Sequence, residues 1–91
     1  MDCEWDERKR RSNLAKHGVD FVDACRIFAG PTIEATDDRR RYGEVRIGAY
    51  GEVDGVVLFV IYTWRRGKLR LISARKAGSN ERQAFNAALG R

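Results

Sequence analysis

The segment VVLFVIYTWRRGKLRLISARK, residues 56–76, predicts the β-hairpin on which the fold depends. Its first half is continuously apolar, which is typical of a central strand covered on both faces. Its second half alternates apolar with polar or cationic side chains, which is typical of a strand with one exposed face. Gly67 supplies the turn between the halves. The segment therefore predicts an antiparallel pair whose second strand carries positive charge.

Two segments upstream extend this sheet. "EVRIGAY", residues 44–50, alternates apolar and polar side chains, and "TIEAT", residues 32–36, is a short strand candidate. Asp54-Gly55 is a strong hairpin signal between residues 44–50 and the apolar run. We expect three strands in sequence to form an antiparallel meander, while the pairing partner of "TIEAT" stays open.

Helix signals flank the strand region. Asp6 is placed to cap a first helix that ends at Gly18, and Asp20 to cap a second that ends at residues 29–31. Ser79 or Asn80 is placed to cap a final helix. The apolar residues expected to anchor the first helix are Trp5, Leu14 and Ala15. The chain is thus predicted to form one α+β domain over residues 1–91, with two N-terminal helices, about four mainly antiparallel strands and a C-terminal helix.

Charge is distributed unevenly along the chain. The net charge is +5, but residues 1–64 hold 10 Lys/Arg and 12 Asp/Glu, whereas residues 65–91 hold 8 basic residues and 1 acidic residue. Clustered cations displace the counterions condensed on phosphates. The final third of the chain therefore indicates a polyanion as partner, although a solvated basic surface has the same composition.

Cysteine, histidine and carboxylate spacing gives no sign of a metal or cofactor. Cys3 and Cys25 are too few for a disulfide framework, so we expect both to be free thiols, with Cys25 a small buried side chain. Asp37 and Asp38 are expected to neutralise the neighbouring arginines at 39–41. No apolar run is long enough to cross a bilayer and no signal pattern opens the chain, which predicts a cytoplasmic protein without membrane contact.

Three stretches, "EWDERKRRSNLAKHGVDF", "DDRRRYGEVRIG" and "LRLISARKAGSNER", resemble in order and spacing the BrnT family of type II toxin-antitoxin toxins. The resemblance implies a RelE-like fold and a small endoribonuclease that cleaves RNA without metal and halts translation and growth. It also implies a hetero-oligomer with a BrnA-like ribbon-helix-helix antitoxin that itself binds promoter DNA. The chain departs from the family at Cys3, Glu7 and Trp64.

The resemblance places the candidate catalytic cations at Arg65, Arg70 and Arg75. Arginine matches the paired oxygens of a phosphate and keeps its charge throughout a reaction. Strict alternation sets Arg70 and Arg75 on opposite faces, so a single phosphate clamp requires a bulge between them. A salt bridge from Arg75 to Glu81, or to an acid of "TDDRRRYGE", is the structural alternative.

Further candidates surround these arginines. Tyr62 and His17 are weaker catalytic candidates, with a core position and a helix-capping role as their respective alternatives, and imidazole is suited to proton transfer near neutral pH. The candidate RNA-binding residues are Trp64, Arg66, Lys68 and Lys76. Three functions remain open: an endoribonuclease, a noncatalytic nucleic-acid-binding module, and an interaction subunit whose basic surface receives an acidic partner.

Overall fold

The predicted hairpin forms the centre of the sheet in the computed structural model, which describes residues 2–91. In chain order the elements are β1 (Cys3–Glu4), α1 (Glu7–His17), α2 (Phe21–Ala24), a 3₁₀ helix (Cys25–Ala29), β2 (Ile33–Asp37), β3 (Arg46–Val53), β4 (Val56–Arg65), β5 (Lys68–Lys76) and α3 (Ser79–Ala88). The strand order is β1-β5-β4-β3-β2. Strands β2 to β5 form an antiparallel meander, so the "TIEAT" segment lies at an edge beside β3.

The predicted sheet of about four strands is one strand short. Strand β1 precedes both helices and pairs with β5 in parallel, which makes the five-stranded sheet mixed. Two residues are too few to show an alternating pattern, so the sequence gives no local signal for this strand. Strand β1 forms because the edge of β5 is free to pair, and there Glu4 lies beside Arg70, 66 residues further along the chain.

Helix α1 begins and ends as predicted, and of its predicted anchors Trp5 packs against the core beside Phe21. Asp6 accepts hydrogen bonds from the first backbone amides, and Gly18 closes the helix in the left-handed conformation. Leu14 is exposed, and the buried residue of α1 is Asn13. Its side-chain amide bonds both the N–H and the C=O of Ala74 and also the C=O of Val19. An asparagine therefore takes the place of a neighbouring strand along β5, beyond the end of β1.

The other two predicted helices are confirmed in place but not in detail. Asp20 caps the second helix as expected, yet the α-helix lasts one turn and continues as the 3₁₀ helix. The cap of α3 is Gly78 rather than Ser79 or Asn80. The carboxylate of Glu81 accepts a hydrogen bond from the Gly78 N–H at 2.8 Å, so a glutamate inside the helix does the work expected of a capping side chain.

The expectation of two free thiols is wrong, because Cys3 and Cys25 form a disulfide. The bond fastens β1 to the 3₁₀ helix across a sequence separation of 22 residues. Sequence spacing did not reveal it because the two cysteines meet only after β1 has joined the sheet. No helix among residues 2–91 combines the length and the apolar character needed to cross a bilayer.

The sheet has two unlike faces. One face, here called the helix face, is covered by α2 and the 3₁₀ helix; its buried side chains are Ala49, Leu58, Val60, Leu69, Leu71 and Ala74, which form a core with Phe21, Ala24 and Ile27. The other, here called the open face, is covered by α3 only at the end near Tyr50. The cross-strand register assigns to the open face the rows Tyr50–Phe59–Arg75 and Gly48–Ile61–Ser73.

Candidate nucleic-acid interface

A bulge in β5 brings Arg70 and Arg75 to the same face of the sheet. Tyr62 lies opposite Leu71 but Ile61 lies opposite Ser73, so one extra residue stands in β5 between them. The shift reverses the alternation, and both arginines point to the open face instead of to opposite faces. The structural requirement for bringing the two cations together is therefore present.

Arg75 is nevertheless held by a carboxylate. Its two terminal nitrogens lie 2.8 and 2.9 Å from the two carboxylate oxygens of Glu81, and the Tyr50 hydroxyl donates to the same carboxylate. The Arg75 guanidinium, followed by the Tyr50 hydroxyl and the Gly78 N–H, holds the pKa of Glu81 well below its usual range. The predicted salt bridge from Arg75 to Glu81 is present, and it joins α3 to the sheet.

Arg75 also takes part in an aromatic stack. Its guanidinium lies 4.7 Å from the centre of the Phe59 ring, and the Phe59 and Tyr50 rings are 4.6 Å apart. Burial, followed by the hydrogen bond to Glu81, raises the pKa of the Tyr50 phenol. Tyr50 therefore stays protonated and acts as a hydrogen-bond donor in this cluster.

Arg70 and Arg65 are also paired, but less completely. Arg70 donates through Nη1 to Glu4 at 2.8 Å, and this is its one hydrogen bond to side chains within residues 2–91. Arg65 donates to Glu44 at 3.3 Å and is more exposed. The Arg70 guanidinium has five N–H donors, so it retains donors for a ligand on the open face.

Tyr62 and Trp64 lie on the helix face, away from Arg70 and Arg75. Tyr62 is 4% exposed, packs edge-on against Phe28 and donates a hydrogen bond to Glu34 at 2.6 Å. Burial, followed by the bond to Glu34, raises the pKa of Tyr62 above the range in which a phenol exchanges protons near neutral pH. Trp64 is 54% exposed and offers a ring surface at the end of β4.

The remaining predicted cations are spread over the hairpin. Arg66 occupies the tight turn with a positive φ of 54°, Lys68 begins β5 and Lys76 ends it, and all three are exposed. His17 ends α1 and lines a hollow with Lys16 and Ser73. The structure thus groups His17 with the bulge rather than with Arg65 or Tyr62.

The structure adds a cationic cleft that the sequence candidates omit. It encloses about 630 Å³ beside the bulge and is lined by Lys16, Arg39, Arg40, Tyr42, Arg46 and Ser73 with two isoleucines. The signal was the run "DDRRRYGE", which was expected to be self-neutralising. Asp37 does bind Arg39, through oxygen-to-nitrogen distances of 2.7 and 3.0 Å, but Arg40 has no ion pair within the described residues.

Arg70 does not line this cleft, but it lies on the same sheet face as Arg46. Thr63 lies opposite Arg70 on β5, and extending the register by one residue sets Arg46 opposite Thr63 on β3. The two arginines therefore flank Thr63 on the open face, with Cα atoms about 10 Å apart across two strand spacings. No group of three or more potential metal-ligating side chains occurs within residues 2–91.

These features define a small basic α+β domain with cations gathered on an open sheet face, a class suited to binding a phosphodiester chain. A family model described as the ribonuclease toxin BrnT of type II toxin-antitoxin systems matches residues 5–81. The chain belongs to this family of ribonuclease toxins, and membership implies an RNA substrate and an antitoxin partner. A comparison with curated proteins finds no match.

Proposed function

We propose that this chain is an endoribonuclease that holds RNA on the open face and cleaves it without a metal ion, inhibiting translation and growth. The observation that carries the proposal is the β5 bulge, which sets Arg70 and Arg75 on one face beside the cationic cleft. Charge fixed before the reaction stabilises a phosphorane without reorganisation. The proposed roles of Arg70 and Arg75 are therefore electrostatic.

The two arginines do not form a closed clamp in this structure. Arg70 is turned toward Glu4 on β1, and Arg75 toward Glu81 on α3. Their Cα atoms are separated by about 13 Å along β5, counting four strand rises because one residue is bulged. We therefore assign Arg70 to the scissile phosphate and Arg75 to a neighbouring phosphate, which would displace Glu81.

Proton transfer requires a separate group. His17 is the histidine of this chain, and the hollow that it lines shares Lys16 and Ser73 with the cleft. We propose His17 as a proton-transfer residue at the rim of the site. Tyr62 is buried on the other face, so its role in the proposal is to support the sheet.

The test is cleavage of RNA in the presence of a chelator by folded protein that is free of antitoxin. Arg70→Gln is expected to slow cleavage by at least about 100-fold, the usual loss when one stabilising donor is removed. Arg26→Gln is the matched control, because Arg26 is an exposed arginine that also pairs with a carboxylate, that of Asp54. Intact RNA at high concentrations of folded wild-type protein would refute the proposal.

A noncatalytic nucleic-acid-binding module is the second candidate. The observation in its favour is that Arg65, Arg70 and Arg75 each pair with a carboxylate, as structural arginines do. It predicts salt-sensitive RNA binding without strand scission, so the same assay separates the two functions. An interaction subunit would instead lose partner binding, with no effect on RNA, when the charges are reversed.

We propose that the antitoxin is a BrnA-like ribbon-helix-helix protein that forms a hetero-oligomer with this chain and binds promoter DNA itself. An acidic amphipathic segment of the antitoxin fits the hairpin, where exposed Trp64 and Val45 lie near Arg65, Arg66 and Lys68. Arg66→Glu with Lys68→Glu is expected to weaken the complex. Unchanged affinity would contradict this placement.

A further inference from the structure

We propose that the cationic cleft is a second phosphate-binding site, which holds the RNA chain at a position distinct from the phosphate at Arg70. The inference rests on the proposed function in taking RNA as the ligand. Its own basis is the cleft formed by the end of α1, the segment between β2 and β3, and the β5 bulge. The cleft residues on which it depends are Lys16, Arg40, Tyr42, Arg46 and Ser73.

The size and continuity of the cleft suit a chain rather than an isolated ion. Its volume of about 630 Å³ lies within the range of roughly 300 to 1,000 Å³ that is usual for sites binding small molecules. Arg39 lines both this cleft and a hollow of about 330 Å³ that reaches Arg75. The two hollows therefore adjoin at Arg39, and the second one leads past Gly48 toward Arg75.

Two of the four cations that line the cleft carry uncommitted charge, whereas Arg46 forms an ion pair with Glu44 at 3.6 Å and Arg39 pairs with Asp37. Lys16 and Arg40 form no ion pair within residues 2–91, and no acidic side chain lines the cleft. Arg39 is neutralised by Asp37, whose side chain is only 6% exposed. This differs from the hairpin, where Arg65, Arg70 and Arg75 each have a carboxylate partner. A concave surface lined by one sign of charge attracts a polyanion more strongly than the same charges do on a convex surface.

Arg46 lines the cleft in a fixed orientation. Its guanidinium stacks on the Tyr42 ring at 4.0 Å, which fixes its orientation. Its Nε is buried and makes no hydrogen bond, since the nearest carboxylate oxygen, on Glu44, is 3.6 Å away. The paired terminal N–H donors of an arginine match two phosphate oxygens. The Arg46 side chain is 22% exposed, so its terminal donors are the ones that a bound phosphate fits, and Tyr42 is a positioning residue for Arg46.

The test uses a 2′-O-methylated RNA oligonucleotide, which cannot supply the attacking hydroxyl, so binding is measured without cleavage. Lys16→Gln/Arg40→Gln is compared with Arg11→Gln/Arg82→Gln. The second pair removes the same charge from two exposed residues that lie outside the cleft and form no ion pair within the described part of the chain. Fluorescence anisotropy over a range of salt gives the slope of log affinity against log salt. The cleft variant should reduce the magnitude of this negative slope by about 1.4, two contacts at about 0.7 each, and the control should leave it unchanged.

Equal changes in both double variants, or a change in neither, would overturn the cleft as a site. A cleft variant that loses an acidic peptide but retains the oligonucleotide would also overturn it, by assigning the cleft to a protein partner. These outcomes do not depend on catalysis. A wild-type protein that binds through the cleft but leaves RNA intact would refute the proposed ribonuclease mechanism and support the cleft.

Arg46→Lys separates a built site from simple electrostatics. Lysine keeps the charge but loses the fork and the planar stack on Tyr42. At constant ionic strength, affinity for the oligonucleotide is expected to fall about tenfold or more, the value of one good charge-assisted contact. Retention of wild-type affinity by a folded Arg46→Lys variant would show that position 46 contributes charge alone and would overturn its assigned role.

Discussion

The two faces of the sheet use the same strands for opposite purposes. On the helix face, apolar side chains pack against Phe21, Ala24 and Ile27, all fully buried. On the open face, the alternate positions of the same strands carry Arg70 and Arg75 together with Phe59 and Ile61, beside hollows lined by Arg75 and Arg46. The helix face therefore supplies stability, and the open face retains cations that are available to a ligand.

The open face is itself divided. Near α3, Glu81 neutralises Arg75, whereas in the cleft Lys16 and Arg40 have no carboxylate partner within the described residues. A cation with a bound carboxylate must exchange partners before it holds phosphate, and a cation without one need not. The difference teaches that the number of basic residues in a segment is a poor guide to where a ligand binds. Experiments on the two faces should accordingly change different properties.

The largest expected effect on stability comes from the disulfide, which fastens β1 and the 3₁₀ helix over the helix face. For a loop of 22 residues, chain entropy predicts a loss of about 3 kcal/mol of unfolding free energy when the bond is opened. Urea denaturation with and without reductant measures this loss. Cys3→Ala/Cys25→Ala is the control and should not respond to reductant. An unchanged midpoint for wild-type protein whose two thiols have been titrated as free would contradict the prediction.

Substituting two glycines of β3, one on each face of the sheet, compares how tightly the two faces are packed. A Cβ at Gly51 would lie 2.6 Å from the Cβ of buried Ile27, whereas a Cβ at Gly48 would meet only the outer end of the Phe59 ring, at 2.7 and 2.8 Å. Gly51→Ala should cost about 1 to 3 kcal/mol because the core must shift. Gly48→Ala should cost less, because the ring can turn into the open hollow and alanine restricts the unfolded chain.

Urea denaturation of the two glycine variants, measured side by side, gives both free energies. The comparison between the faces is sharpened if Gly48→Ala also changes RNA affinity, since the Phe59 ring carries the Arg75 guanidinium. A larger loss of stability for Gly48→Ala than for Gly51→Ala would show that the open face is packed as rigidly as the core.

The local features of this fold were predictable from sequence. The apolar run of β4, the turn at Gly67 and the caps at Asp6 and Asp20 depend on neighbouring residues, and the structure confirms each of them. The family and its ribonuclease class were likewise predictable from ordered motifs along most of the chain.

The missed features depend on residues that are distant in sequence. Asn13 satisfies the backbone of Ala74 from 61 residues away, and β1 forms only against the edge of β5. The disulfide forms only when β1 and the 3₁₀ helix are both in place. The need for a bulge was predicted, but its position was not, because a β5 register is defined only by its partner strand. The cleft was missed because the prediction paired the aspartates with all of the arginines at 39–41. In the structure Asp37 pairs with Arg39, and Arg40 has no ion pair within the described residues.

The smallest expected effect concerns the carboxylate that divides the open face. The folded protein holds the pKa of Glu81 below the ordinary value of 4.5, chiefly through Arg75, so the unfolded chain binds more protons at acidic pH. Stability from this group is present above about pH 4.5 and is lost as the pH falls below it. Glu81→Gln should therefore flatten the acid dependence of the urea midpoint, with a loss near neutral pH of at most about 1 kcal/mol. Glu52→Gln, which removes the partner of exposed Arg91, is the control and should leave that dependence nearly unchanged.

If Glu81→Gln also tightens RNA binding at neutral pH, Glu81 is the competitor that RNA must displace from Arg75; if affinity falls, Arg75 needs Glu81 to hold it in place for the ligand.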